Sequence, residues 1–234
     1  MAAGLWALAG AIRSSANTLW YDARIMSKNH LAVALVLWLF AGPSFGQEQK
    51  AQVKGTDYAP LLERVKGGDF SIDFQQLRFS YMESPERHQA KDASKQEQEM
   101  WQALNRKDYK NAAQNADAVL AGEFVNLDAH FVEYIAYREM QNEALSNFHH
   151  SVFTGLMKSI LDSGDGQSTK TAYVVISTQE EYVLLNVRGL RPGKQSVLHE
   201  GGHNYDLLEA TDSKTNQAVK LYFNVDIPFK HYLE

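Results

Sequence analysis

Cysteine is missing from the 234 residues, which excludes disulfides, thiolate metal sites and a thiol nucleophile, and leaves nothing to carry a bacterial lipid anchor. No apolar run is long enough to cross a bilayer. The longest, Leu31–Ala41, covers eleven residues and is broken by Gly42-Pro43 before the polar Gln47–Lys50, whereas a spanning helix needs about 20. Positive charge is not in excess either: 23 Lys+Arg stand against 28 Asp+Glu, so there is no electrostatic reason to expect nucleic acid or anionic lipid as a partner. A Gly-x-Ser-x-Gly elbow, a phosphate loop and a Rossmann glycine fingerprint are all lacking.

What the apolar run does carry is the order of an export signal. Lys28 precedes it, and a small-x-small step at Ser44-Phe45-Gly46 follows it, giving basic, apolar and cleavage regions in sequence. Such a signal belongs at the extreme N-terminus, yet residues 1–25 lie ahead of it and Met26 stands directly before Ser27-Lys28. Residues 1–46 are therefore expected to be a leader, with 1–25 untranslated and 26–46 a signal peptide cut near Gly46/Gln47. The mature chain is expected to be periplasmic or secreted, with no membrane span. Its 188 residues carry 20 Lys+Arg and 27 Asp+Glu, a charge of −7, and suffice for one domain that buries roughly 70% of its unfolded surface.

Residues 47–56 read as a disordered tether and 57–234 as a single α+β domain. Asp57 is placed to cap a short helix at Tyr58–Leu62 that Gly67-Gly68 stops. Leu77–Tyr81 fits helix or strand, and 84–99 reads as a solvated connector into a helix holding Trp101 and Leu104. Beyond Asp108 the helical period is firm. Tyr109, Ala112, Ala113, Ala116, Val119 and Leu120 share one face. Asn126 or Asp128 caps the next helix, with Ala129, Val132, Ala136 and Met140 as its stripe. A third carries Leu145, Phe148, Val152, Leu156 and Ile160. These helical hairpins are loosely tetratricopeptide-like, although a solenoid needs at least three units of about 34 residues and there is room for roughly two. After Ser168 the period falls to two. Strands are predicted at Ala172–Ile176, Tyr182–Val187, Gln195–Glu200, Asn204–Ala210 and Val219–Val225, an antiparallel sheet of four to five strands backed by the helices.

His199-Glu-Gly-Gly-His203 satisfies H-E-x-x-H, but that chemistry needs a helix, where residues four apart can chelate one zinc ion. Two successive glycines cost a helix about 2 kcal/mol, and on a strand the two imidazoles would stand about 13 Å apart. Gly201-Gly202 reads instead as a hairpin turn, and no zinc protease is expected. Asp162-Ser-Gly-Asp-Gly166 departs from the calcium-loop spacing, because Gly164 holds the third position, and reads as a helix cap and turn. Neither a metal ion nor a cofactor is expected. Among the remaining polar groups, Arg78, His149-His150 and Glu180-Glu181 are expected at the surface. The residues nominated for binding are Arg78, His150, Asp165, Glu180, Glu181 and Tyr182.

The blocks Ser159–Gly166, Ala172–Ser177, Glu181–Asn186, Gln195–Leu198 and Leu221–Val225, in that order, make the chain resemble the exported bacterial proteins grouped as domain of unknown function family 4919. The resemblance covers nearly all of the mature chain and implies the order of elements, a bacterial origin and export. It implies no reaction, and the family's pattern does not carry H-E-x-x-H at 199–203. The expected function is a noncatalytic binding or interaction domain of the bacterial periplasm, its partner an unknown protein or small ligand held between the helices and the sheet. The alternative is a hydrolase using a carboxylate and histidine cluster at the helix–sheet junction, drawn from Asp165, Glu181 and His150.

Overall fold

A computed structural model describes residues 57–232; the expected leader and tether lie outside the described residues. The chain opens with α1 (Tyr58–Lys66), α2 (Phe74–Met82) and the short α3 (Pro85–Gln89). Two helical hairpins follow: α4 (Ser94–Asn105) with α5 (Tyr109–Leu120), then α6 (Leu127–Glu139) with α7 (Glu143–Leu161). The C-terminal part runs β1 (Tyr173–Val174), α8 (Thr178–Val187), β2 (Leu190–Glu200), β3 (His203–Asp212), β4 (Ala218–Asn224) and α9 (Asp226–Tyr232). This is the expected α+β class, with a helical N-terminal part packed on a four-stranded sheet.

Local chemistry fixes the helix starts. Asp73, Ser84, Asp108, Asn126, Asn142 and Ser177 each accept a backbone N–H from the first turn of the helix they precede, satisfying one of its four orphan donors. Asp57 stands at the N-cap of α1 without a side-chain bond. Two core clusters result. Ala103, Ala112, Ala113, Ala116, Ala129 and Ala136 let α4, α5 and α6 approach closely around Met100 and Trp101. A second cluster joins α1, α2, α7 and α8 to the inner face of the sheet through Leu77, Val152, Leu156, Leu184, Leu208 and Phe223. Met140 and Leu145, placed on buried stripes by their spacing, are instead exposed, because α6 ends at Glu139 and Leu145 lies in the first turn of α7.

The sheet order is β1-β4-β3-β2. β2, β3 and β4 form the expected antiparallel meander, with Glu200 opposite His203. Gly201 and Gly202, at φ 61 and 84°, make the turn between them in the left-handed conformations that glycine adopts without strain. Two strand expectations are corrected. β1 keeps only two residues and pairs parallel to β4, so the sheet is mixed. The segment Tyr182–Val187 is helical, not a strand. Ser177 and Glu180 supply the Ser-x-x-Glu spacing of a capping box, and Ser177 Oγ accepts from Glu180 N. Val183, Leu184 and Leu185 are all buried, since α8 lies between the other helices and the sheet, and burial on several sides erased the helical period.

Candidate functional site

Three ionic groupings lie inside the molecule. The first joins α2 to α8. Arg78, fully buried, donates from Nε to Glu180 Oε1 at 2.8 Å and from Nη2 to Glu180 Oε2 at 2.5 Å, a bidentate pair of the strongest kind. Its remaining reach goes to Ser159 Oγ on α7 and to the carbonyl of Val174 on β1. Glu180 Oε2 also accepts from Ile176 N. Val175 N donates to the Asn224 carbonyl on β4, so the groups of 174 and 176 lie on the free edge of β1, where Arg78, Glu180 and Ser163 Oγ satisfy them.

The second grouping sits where α8 crosses the sheet. Asp206 lies on the inner face of β3 beside Leu208 and is buried. Gln195 of β2 donates from Nε2 to Asp206 Oδ2 at 2.6 Å and reaches Glu181 Oε2 at 3.4 Å, while Tyr182 donates its hydroxyl to Gln195 Oε1 at 3.0 Å. Burial first, then the Asp206 carboxylate, pushes Glu181 well above the usual carboxyl range. Burial raises Asp206 as well, against hydrogen bonds from Gln195 and Glu181 that lower it. Of the two acids, Glu181 is the one pushed more strongly toward its protonated form.

The third grouping escaped the sequence reading. His130 and Glu133, three apart on one face of α6, meet His149 of α7, and all three are buried. Their ligand atoms lie within 4.8 Å of one another. His130 Nε2 donates to the carbonyl of Phe124 at 2.7 Å, which turns Nδ1 toward His149 Nδ1 at 3.0 Å. Glu133 Oε2 lies 2.6 Å from that same His149 nitrogen, yet neither Glu133 oxygen takes part in a hydrogen bond of ordinary geometry. Burial pulls His130 down to about 3, helped by His149, and pulls His149 down to about 4 against the Asp117 carboxylate. Burial, with Asp117 beside it, raises Glu133 to about 10. The close histidine–glutamate contact is therefore a contact of neutral groups at pH 7. Two imidazole nitrogens and a carboxylate are a ligand set suited to a zinc-class ion.

The nominated binding residues separate. Arg78 pairs with Glu180, and Glu181 and Tyr182 join Gln195 and Asp206. The expectation that Arg78, His149, Glu180 and Glu181 are exposed is corrected: each has an internal polar partner and each is buried. His150 is exposed on the outer side of α7 against the Tyr134 ring. Asp165 is exposed and bonded within its own loop to Gln167 N. His150, Asp165 and Glu181 thus occupy three different environments. The hairpin histidines are strand residues with separate partners, His199 with Asn204 and His203 with Asp226. An open cleft of about 540 Å³ lies between 70–75 and α7, lined by Phe70, Ile72, Phe74, His150, Thr154 and Lys158. It sits within the helical layer, not at the helix–sheet junction where a ligand groove was expected. Among the described residues, no helix is long and apolar enough to cross a membrane.

A signal for the third grouping existed. His130-x-x-Glu133 falls inside a stretch, Leu127–Ile135, in which Tyr134 alone is not fully buried, and ionisable residues amid continuous apolar spacing announce an interior partner. What no spacing reveals is that His149, fourteen residues past the end of that stretch, returns on the next helix to meet them.

An α+β chain with helical hairpins on a mixed four-stranded sheet, and a histidine–carboxylate grouping between two of its helices, is the class that fold and site define. Residues 48–234 match the model of the family described as domain of unknown function (DUF4919), and the chain belongs to that family. Neither curated proteins nor solved structures give a match.

Proposed function

We propose that the chain works outside the bacterial cytoplasm as a noncatalytic binding domain, exported by its leader and released near Gly46/Gln47. The observation that carries the noncatalytic part is the dispersal of the groups a hydrolase would need. Glu181 is sealed on the inner face of α8, Asp165 is tied to its own loop and His150 faces outward, so these three share no common substrate position within hydrogen-bond reach. The cleft beside Phe70 and His150 is one concave surface open to a ligand, and its volume suits a small molecule or a few side chains of a protein; a second, of about 750 Å³, lies between residues 86–97 and 118–123. Export rests on the short apolar run with Lys28 before it and a cleavage step after it.

Expression from Met26 in a bacterial host, followed by fractionation and N-terminal sequencing, tests the location. The expected result is a periplasmic chain beginning at Gln47; an intact chain beginning at Met26 among cytosolic proteins overturns it. Assay against ester, phosphoester, glycoside and peptide substrates tests the rest. The expected result is no turnover, and turnover abolished by Glu181→Gln or Asp165→Asn would establish the hydrolase instead.

A further inference from the structure

We propose that His130, Glu133 and His149 bind one zinc-class divalent ion that ties α6 to α7. The argument is one of geometry. The Phe124 carbonyl takes the Nε2 hydrogen of His130, and a carbonyl in that position is what orients a metal-binding imidazole in known sites. It leaves the Nδ1 lone pair of His130 pointing inward. His149 Nδ1 then faces two neighbours at once, His130 Nδ1 at 3.0 Å and Glu133 Oε2 at 2.6 Å, and one ring nitrogen, as donor or as acceptor, serves only one of them. A cation at their centre is attractive to all three.

The spacing fits. Ligands about 2.0–2.1 Å from a tetrahedral ion stand about 3.3 Å from one another, so the His130–His149 nitrogens at 3.0 Å and the His149–Glu133 contact at 2.6 Å open by about 0.3 and 0.7 Å to admit it. Asp117 of α5 is exposed overall, and its carboxylate stands beside Glu133, the place of an outer-shell partner that orients a ligating carboxylate. Nitrogen donors exclude calcium and magnesium as the preferred guests and favour zinc and its neighbours in the first transition row. All three donors are buried, and the ion's role is to hold α6 and α7 in register, which accords with a noncatalytic domain but does not depend on it.

The test uses the Met26-initiated chain purified whole, stripped with chelator and titrated with Zn²⁺ and, separately, Co²⁺. The expected result is one equivalent of Zn²⁺ retained through gel filtration, measured by elemental analysis, and an intense visible absorption for Co²⁺ typical of tetrahedral coordination. Glu133→Gln, nearly the same shape, is expected to weaken binding by about a hundredfold, and Asp117→Asn by about tenfold. Because Asp117 is exposed, its variant keeps the test sharp if the Glu133 variant fails to fold. The double change His199→Ala with His203→Ala is expected to leave the equivalent in place. Absence of a retained equivalent in the unaltered protein overturns the proposal, as does an equivalent lost with the hairpin histidines and kept in Asp117→Asn.

Discussion

The Arg78–Glu180 pair and the His130–Glu133–His149 grouping are both sealed from water, and both join elements distant in the chain, yet they differ in how many of their polar atoms are matched. Arg78 commits four N–H donations to Glu180, Ser159 and Val174, and Glu180 also caps Ile176 N. Around Glu133, by contrast, neither oxygen makes a well-formed hydrogen bond. A closed network rigidifies a core, whereas a partly closed one is costly unless a further ligand completes it. The first grouping therefore belongs to the fold, and the second to whatever binds there.

The sharpest way to break this comparison is to open the closed network. Arg78→Met leaves Glu180 a buried charge without its cation, and removing one partner of such a pair costs about 3–5 kcal/mol. Urea unfolding of Arg78→Met should show that loss, and Arg78→Met with Glu180→Gln should recover a good part of it, since no orphan charge remains. If the double variant is no better than the single, the pair's value lies in its shape and not in its charge balance.

Next in size is the effect of closing the open network. Zn²⁺ free at a hundred times its dissociation constant should stabilise the protein by about 2.7 kcal/mol through mass action, a rise readable in thermal melting that Glu133→Gln should abolish. Metal-dependent stabilisation of equal size in both proteins would place the ion elsewhere.

A pH series separates the Glu181–Asp206 acids from both. Glu181 in the fold keeps its proton far above the ordinary value of 4.5 because of burial and then Asp206. As pH rises through about 4.5, the unfolded chain releases this proton and the folded chain does not, so the unfolded state binds fewer protons and stability falls with rising pH. Glu181→Gln removes that loss and retains a donor for Asp206. The variant should match the parent near pH 4 and become progressively more stable than the parent as pH rises toward 8. A constant difference across that range would mean that Glu181 ionises freely in the fold.

Much of the architecture was legible because it rests on local chemistry. The alanine stripe of α5, the Asn126 cap and the Gly201-Gly202 turn each act through neighbours in sequence, and each stands where spacing placed it. Tyr182–Val187 misled because an apolar segment buried on several sides loses the period that distinguishes helix from strand; the Ser177-x-x-Glu180 cap was the better guide. The interior charges were illegible for another reason. Arg78 and Glu180 lie 102 positions apart, and nothing about an isolated arginine tells whether its partner is water or a carboxylate beyond a helix and a strand. Exposure was the natural expectation for each residue taken alone, and only the packing of α2 on α7 and α8 reverses it.

The smallest expected effect isolates environment from contact. His203 Nδ1 lies 2.6 Å from Asp226 Oδ2, the same separation as His149 Nδ1 from Glu133 Oε2, but the side chains of His203 and Asp226 are 57% and 33% exposed where those of His149 and Glu133 are 9% and 0%. Water screens the hairpin pair, and Asp226 keeps the Asn204 N–H at 2.7 Å whether or not the imidazole is there. His203→Ala should therefore change the unfolding free energy by at most about 0.5 kcal/mol, with Zn²⁺ retention unaltered. A larger loss would show that closeness alone governs such contacts, and the distinction between the exposed and the buried histidine–carboxylate pairs would fall with it.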